Sequence, residues 1–187
     1  WGSSRVIEQC KNWDSKLIYS ASSSKFGGNE NLSPYSWVKA KIVELIKNYA
    51  EWYKLKYEIC YFYNVYGENH ITEGDYATVI GIFENAYKNK KPLTIVRPGT
   101  QSRKFTHIND TVKVCFDAWK KNKCRHYSIS SKKDYTILEV AKLFGSKIKM
   151  LPSRGGERYA SALTNMNLSN KVYKIFGRID LKEYVEN

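Results

Sequence analysis

Ser33-Pro34-Tyr35-Ser36-Trp37-Val38-Lys39, read with Lys16-Leu17-Ile18-Tyr19-Ser20-Ala21-Ser22-Ser23-Ser24 just before it, decides the architecture of this 187-residue chain. The first stretch opens a helix. Ser33 is a good N-cap and Pro34 suits the first helical position. Val38, Ile42, Leu45, Ile46, Tyr49 and Tyr53 carry an apolar stripe onward at helical period, predicting a core-facing side. The second stretch is a short apolar run ending in serines. In a parallel α/β sheet, residues just past the carboxyl end of a strand face the ligand crevice. Strand followed by helix therefore predicts an α/β protein with polar groups gathered at a strand end. Tyr35 and Lys39 are four residues apart, which on a helix sets them on one face, one above the other. A phenol beside an ammonium can take and return a hydroxyl proton. The bare Tyr-x-x-x-Lys spacing is weak, because an exposed Lys beside a half-buried Tyr is its ordinary content. A serine at the strand end adds a third hydrogen-bonding group to the pair.

Composition narrows the class. With 42% hydrophobic and 26% charged residues, the chain can bury one good core. No apolar run approaches the ~20 residues that span a bilayer, and the N-terminus lacks a signal-peptide pattern, so no membrane partner is expected and the cytoplasm is the expected location. Cys10, Cys60, Cys115 and Cys124 show no C-x-x-C spacing and read as free thiols of a reducing compartment. His70, His107 and His126 are scattered, so no metal site is expected. A net charge of +13 asks for anionic partners. The densest patches, Lys88-Asn89-Lys90-Lys91 and Lys120-Lys121-Asn122-Lys123, read as helix ends, where cations favour the helix dipole. They carry no nucleic-acid-binding signature, so the charge suits ligands with a diphosphate better than a nucleic acid.

Along the chain, Trp1 to Cys10 reads as the back part of a helix and Glu58 to Tyr63 as a near-continuous apolar strand of a parallel sheet. Tyr76 to Lys88 is predicted helical and Leu93 to Val96 extended. The turn Arg97-Pro98-Gly99-Thr100 leads into a strand from Arg103 to Ile108, after which Asn109-Asp110 would cap a helix from Thr111 to about Lys121. His126 to Ser130 is a strand. Thr136-Ile137-Leu138-Glu139 is a capping box, opening a helix that stops at Gly145, and Ser146 to Leu151 is a short strand. Arg154 lies in a Gly-bearing loop, and Asn167 would cap a helix ending at Gly177.

Taken in order, these motifs resemble the extended short-chain dehydrogenase/reductase family, and within it the NAD-dependent sugar-nucleotide epimerases and dehydratases of the UDP-glucose 4-epimerase type. Their S-S-S-x-x-Y-G stretch and P-Y-x-x-x-K are matched by Ala21 through Gly27 and by Pro34 through Lys39. The match continues through Tyr61-Phe62-Tyr63-Asn64-Val65-Tyr66-Gly67 and Gln101 through Asp110, and ends at Arg154-Gly155-Gly156-Glu157. Gly2-Ser3-Ser4-Arg5-Val6-Ile7-Glu8 echoes the family helix before the serine-bearing strand.

The resemblance implies the C-terminal part of a Rossmann-type doubly wound parallel sheet over residues 1–92, with a smaller α/β substrate-binding lobe over 93–187. One sheet strand is expected to return through that lobe. No counterpart of the family's N-terminal G-x-x-G-x-x-G turn is found, so these residues are expected to be a fragment that binds no dinucleotide tightly and is inactive alone. The implied catalytic set is Ser22, Tyr35 and Lys39. Tyr35, Lys39, Phe62 and Val65 would lie by the cofactor, NAD, with NADP not distinguished. Ser22, Ser24, Asn64, Arg103 and Arg154 would contact the nucleotide sugar. Three positions depart from the family: Tyr61 stands where arginine is usual, Lys104 replaces the acid of R-D-F, and Asn167 stands where the family prefers Asp. The family also pairs the Pro34–Tyr53 helix and the one before it with their copies across a dimer axis, implying a homodimer. Dehydratases and decarboxylases place an acid in the strand-end motif, and Ser22-Ser23-Ser24-Lys25 has none, which favours an epimerase. A reductase or dehydratase of the same family, or a truncated non-catalytic relative, are the alternatives.

Overall fold

Short apolar runs alternating with amphipathic helices do build an α/β protein with parallel sheets. The computed structural model describes residues 2–23, 33–74, 76–121, 123, 125–153 and 172–186, with the backbone alone over 172–176. The elements run α1 (Gly2–Asn12), β1 (Leu17–Ser22), α2 (Pro34–Tyr53), β2 (Tyr57–Phe62), β3 (Val65–Tyr66), α3 (Val79–Lys88), β4 (Leu93–Val96) and β5 (Ser102–Lys104). They continue as β6 (Thr106–His107), α4 (Ile108–Lys121), β7 (His126–Ser130), β8 (Asp134–Thr136), α5 (Ile137–Leu143), β9 (Ile148–Leu151), β10 (Val172–Phe176) and α6 (Leu181–Glu186). The chain forms two compact units, between which it passes more than once.

The first unit is built on a sheet of order β1-β2-β7-β10. β1 and β2 run parallel from Leu17↔Tyr57 to Ser22↔Phe62, and β2 and β7 run parallel from Ile59↔His126 to Phe62↔Ile129. Ile18, Cys60, Phe62 and Ile129 meet Val114 and Ala118 of α4 on one face. Strand alternation turns Tyr19, Ile59 and Tyr61 to the other face, where α2 packs on β1 and β2 and α1 packs on α2. Cover on both faces is why β2 reads as a continuous apolar run. Glu58 is its charged member, and it is fully buried. Its carboxylate accepts the backbone N–H of Lys123 at 2.6 Å and of Arg125 at 2.9 Å, and lies 3.4 Å from the Lys16 ammonium. Lys16 also donates to the Ala118 and Trp119 carbonyls at the end of α4.

The buried side of α2 differs from the expected stripe. Ser36, Ala40, Val43 and Ile46 are its buried residues, whereas Val38 is 46% exposed and Tyr53 51% exposed. Small side chains let the helix lie close to the sheet, so the face carrying Ser36 and Ala40 turns inward and part of the bulkier stripe turns out.

In the second unit, β4 pairs parallel with β9, β3 parallel with β6, and β5 antiparallel with β8. Its core gathers Tyr66, Phe83, Leu93, Ile95, Phe105 and Val140. The capping box holds as read: the Thr136 hydroxyl accepts the Glu139 N–H at 3.1 Å, and Glu139 Oε2 accepts the Thr136 N–H at 2.7 Å. Gly145 closes α5 at φ +62°.

Several boundaries move. α3 begins at Val79, because the Thr78 hydroxyl caps it by accepting the Gly81 N–H, and Tyr76 is left 87% exposed. The strand expected from Arg103 to Ile108 breaks into β5 and β6, and α4 starts at Ile108. Asp110 is thus inside the helix rather than its cap. Its carboxylate accepts the Arg178 N–H at 2.8 Å and the Ile179 N–H at 3.0 Å. Gly177 belongs in that approach, since a Cβ there would stand 2.9 Å from Asp110 Oδ2. The helix expected to end at Gly177 is β10 over the described residues. Val172, Tyr173, Ile175 and Phe176 are β-formers, and β10 extends the sheet beyond β7.

Candidate functional site

Ser33 caps α2 as its sequence requires: the hydroxyl accepts the Ser36 N–H at 3.2 Å, with Pro34 at the first helical position. Tyr35 and Lys39 then stand one turn apart, and the Lys39 Nζ lies 5.9 Å from the centroid of the Tyr35 ring. The ammonium is held from the sheet side. It donates to the Ser20 carbonyl at 2.9 Å and sits 5.1 Å from the centroid of the Tyr19 ring. Burial lowers the Lys39 pKa from the ordinary lysine value. Burial, with a smaller contribution from neighbouring Tyr35, pushes Tyr19 up to about 12.

Exposure is the reverse of the ordinary content of this motif. Tyr35 is 60% exposed, while Lys39 is half-buried. The phenol is open to a ligand and the amine beneath it is fixed. Ser22 ends β1 and is half-buried, and Ser23 after it is 6% exposed. Ser24 lies outside the described residues, as does Arg154.

In the second unit, Asn64 takes a positive φ of 31°, which Asn tolerates better than most residues. Its Nδ2 donates to the Lys104 carbonyl at 3.0 Å, and its own carbonyl accepts the Thr106 N–H at 3.4 Å. These bonds tie the turn after β2 to the β5–β6 segment. Asn64, Val65 and Arg103 share the wall of a cavity of about 440 Å³ with Gln101, Phe105 and residues 77–80, 82 and 83. Arg103 is half-buried, and one of its N–H groups donates to the Ser102 carbonyl at 2.8 Å. An apolar cleft of this size with a few polar groups and one guanidinium suits part of a small anionic ligand. Val65, expected beside the cofactor, lines the same cavity as the two residues expected on the sugar nucleotide. Phe62 ends β2 half-buried and packs toward the α4 face.

The departures from the family pattern at Lys104 and Tyr61 have structural roles, and Asn167 lies outside the described residues. The Lys104 ammonium reaches Asp134 at 3.1 Å and the carbonyls of Ser131 and Lys132 at 3.3 and 3.1 Å, fixing the turn before β8. Tyr61, 1% exposed, shares a 3.0 Å hydrogen bond with His126 Nδ1 and stacks on its ring. In sequence Gln101 and Phe105 are letters of a motif, with no signal of their own for a place in the cavity wall. Thr78, Ile82 and Phe83 look in sequence like any cap and apolar helix face. Among the described residues, no group of three or more His, Cys, Asp or Glu gathers as for a metal ion, and no helix is long and apolar enough to cross a membrane.

Residues 2–137 match the NAD dependent epimerase/dehydratase family. A Methanocaldococcus jannaschii protein that carries the name of a UDP-glucose 4-epimerase is 32% identical over 126 residues, which are 60% of this chain and 41% of the relative. A dTDP-D-glucose 4,6-dehydratase of Dictyostelium discoideum is 27% identical over 165 residues, 75% of this chain and 37% of the relative. This chain therefore spans less than half the length of these relatives. The structure of a UDP-N-acetylglucosamine 4-epimerase from Methanobrevibacter ruminantium, in complex with UDP-N-acetylmuramic acid, matches with TM-score 0.77 at 27% identity, over 85% of this chain and 57% of that one. A Thermotoga maritima UDP-glucose 4-epimerase with UDP-glucose shares the fold at TM-score 0.85 and 20% identity, over 99% of this chain and 66% of that one. The match over residues 2–137 places this chain in the NAD dependent epimerase/dehydratase family.

Proposed function

We propose that this chain supplies the proton-transfer residues and part of the substrate site of a sugar-nucleotide epimerase of the UDP-glucose 4-epimerase kind, with NAD as the cofactor. The observation that carries this reading is the arrangement at the start of α2: an open phenol on Tyr35 above a Lys39 ammonium anchored to the Ser20 carbonyl.

Tyr35 as phenolate removes the proton of a sugar hydroxyl and, after the keto sugar has turned, returns it to the same oxygen. Ser22, at the end of β1, hydrogen-bonds the reacting oxygen and orients it, with Ser24 as a helper. Lys39 supplies positive charge beside the phenol. An ammonium has three N–H donors and Ser20 takes one, so the donor set fits the hydroxyls of a nicotinamide ribose. Tyr35 and Lys39 would hold that ribose, with Phe62 and Val65 toward the ring. Bound NAD supplies hydride acceptance and return at the sugar carbon, while the protein supplies proton transfer and orientation. Arg103 and Asn64 bind the nucleotide end of the substrate, with Arg154 as a second phosphate contact.

The rest of the reading concerns assembly. Trp37, Trp52 and Tyr53 of α2, with Val6 of α1, are 48%, 61%, 51% and 52% exposed, which supports pairing with a second copy. A 4,6-dehydratase is the second reading, favoured by the Dictyostelium relative. Against it stands the absence of an acid at Ser22-Ser23-Ser24-Lys25. In a protein containing this segment and supplied with NAD, Tyr35→Phe should lower interconversion of UDP-glucose and its 4-epimer by ~10²–10⁴, the usual worth of a positioned acid/base. Sugar-nucleotide affinity should be unchanged. Unaltered turnover would remove Tyr35 from the mechanism.

A further inference from the structure

We infer that Tyr19 is the positioning residue for Lys39, holding its ammonium under the Tyr35 phenol through the face of its ring. The inference deepens the proposed function and rests on it for the role of Lys39, although the contacts themselves do not.

The geometry comes from two elements of the first unit. β1 runs Leu17–Ser22, and its alternation points Tyr19 toward the helix α2 that brings Lys39. The Lys39 Nζ stands 5.1 Å from the Tyr19 ring centroid, within the ~6 Å reach of a cation–π contact and nearer than the 5.9 Å to Tyr35. The next residue of the strand, Ser20, gives its carbonyl to the same ammonium at 2.9 Å. Consecutive residues of β1 thus grip the amine, one with a π face and one with a backbone oxygen. Lys39 is half-buried, so its charge has lost part of its water and gains from such partners. Burial lowers its pKa, and the ring acts in the opposite sense by favouring the charged form.

The hydroxyl of Tyr19 does not explain the residue. It is buried and has no hydrogen-bond partner among the described residues. A buried phenol O–H without a partner is a liability to stability. What the position uses is therefore the ring. Among the described residues, Tyr19 from β1 and Tyr35 from its own helix are titratable groups that flank the ammonium.

The test reads Lys39 itself and needs neither cofactor nor sugar. Position 19 is made Tyr19→Phe, and then replaced by mono-, di- and trifluorinated phenylalanine, which weaken the π face at nearly constant size. Competitive acetylation across pH, followed by mass spectrometry of the peptide bearing Lys39, gives its titration in the full chain. Tyr19→Phe should leave the Lys39 midpoint in place. Successive fluorination should lower it stepwise, by about half a unit over the series, as expected for losing a partly exposed cation–π contact. A midpoint that does not respond to fluorination overturns the inference, as does a shift already complete in Tyr19→Phe. Should the midpoint follow fluorination while Lys39→Met leaves turnover intact, the catalytic reading of Lys39 falls and the positioning contact stands.

Discussion

Replacing Lys16 with methionine should destabilise the chain by about 3 kcal/mol, although Lys16 is remote in sequence from the carboxylate it serves. Glu58 is 0% exposed in the middle of the sheet, and the Lys16 ammonium, itself 10% exposed, is 3.4 Å from its Oε1. At an effective dielectric near 20, that separation gives a gross attraction of about 5 kcal/mol. Desolvation of both groups offsets much of it, so the intact pair adds little net stability. Breaking the pair is another matter, because it leaves a buried carboxylate without its counter-charge, and such losses run about 3–5 kcal/mol. Glu58 would keep the N–H groups of Lys123 and Arg125, which sets the expectation at the lower end. For a chain of this size, 1 kcal/mol corresponds to roughly 2–4 °C in Tm, so Lys16→Met should lower Tm by about 6–12 °C. Urea unfolding followed by circular dichroism is the assay, with the slope unchanged if only the native state is affected. The double variant Lys16→Met/Glu58→Gln should lose at least ~1 kcal/mol less than the sum of the two single losses, because neither charge is then left alone. A Lys16→Met loss below ~0.5 kcal/mol, or strict additivity, would refute this account. The pair also matters for the site, since Lys16 precedes the strand that carries Ser20 and Ser22.

Two further outcomes concern local devices. Hydrogen bonds from Thr136 hold the Glu139 carboxyl below its ordinary 4.5, so the capping box contributes fully above that pH and fades as pH falls through the depressed value. Glu139→Gln should therefore flatten the acid limb of a stability–pH curve while changing little at neutral pH; an unchanged limb would show that the box does not titrate with folding. Gly67 has φ +144°, and a Cβ there would collide with Ile108 Cγ2. Gly67→Ala should cost about 1–3 kcal/mol by urea unfolding, and a neutral result would place that turn elsewhere.

Local chemistry was legible where it is self-contained. Ser33-Pro34 marked the start of α2, Thr136 to Glu139 marked that of α5, and the near-continuous apolar run of β2 announced a strand covered on both faces. Features set by partners far along the chain were not. Val172 to Phe176 places apolar residues at spacings that a helix and a strand both allow, and pairing in the first unit's sheet decides for the strand. Asp110 looked like a cap because an Asp at a helix start usually accepts local backbone N–H groups, but the N–H groups it accepts are those of Arg178 and Ile179. In the candidate site, the Tyr35/Lys39 pairing followed from spacing alone. That Lys39 would be the buried member, gripped by Tyr19 and Ser20, depends on how α2 lies on β1. The cavity lined by Asn64 and Arg103 could be anticipated only as two letters of a motif; Phe105 and Gln101 joined it through packing.

The most direct test of the central claim is a calorimetric titration of residues 1–187 with UDP-glucose, paired with the same titration of Arg103→Ala. Arg103 lines the cavity of about 440 Å³, and a hydrogen bond to a charged group is worth about 1.5–3 kcal/mol. The account predicts saturable binding that Arg103→Ala weakens by roughly 10- to 150-fold at unchanged stoichiometry, with Tyr35→Phe close to the parent. Absence of saturable binding, or equal affinity in the parent and Arg103→Ala, would contradict it.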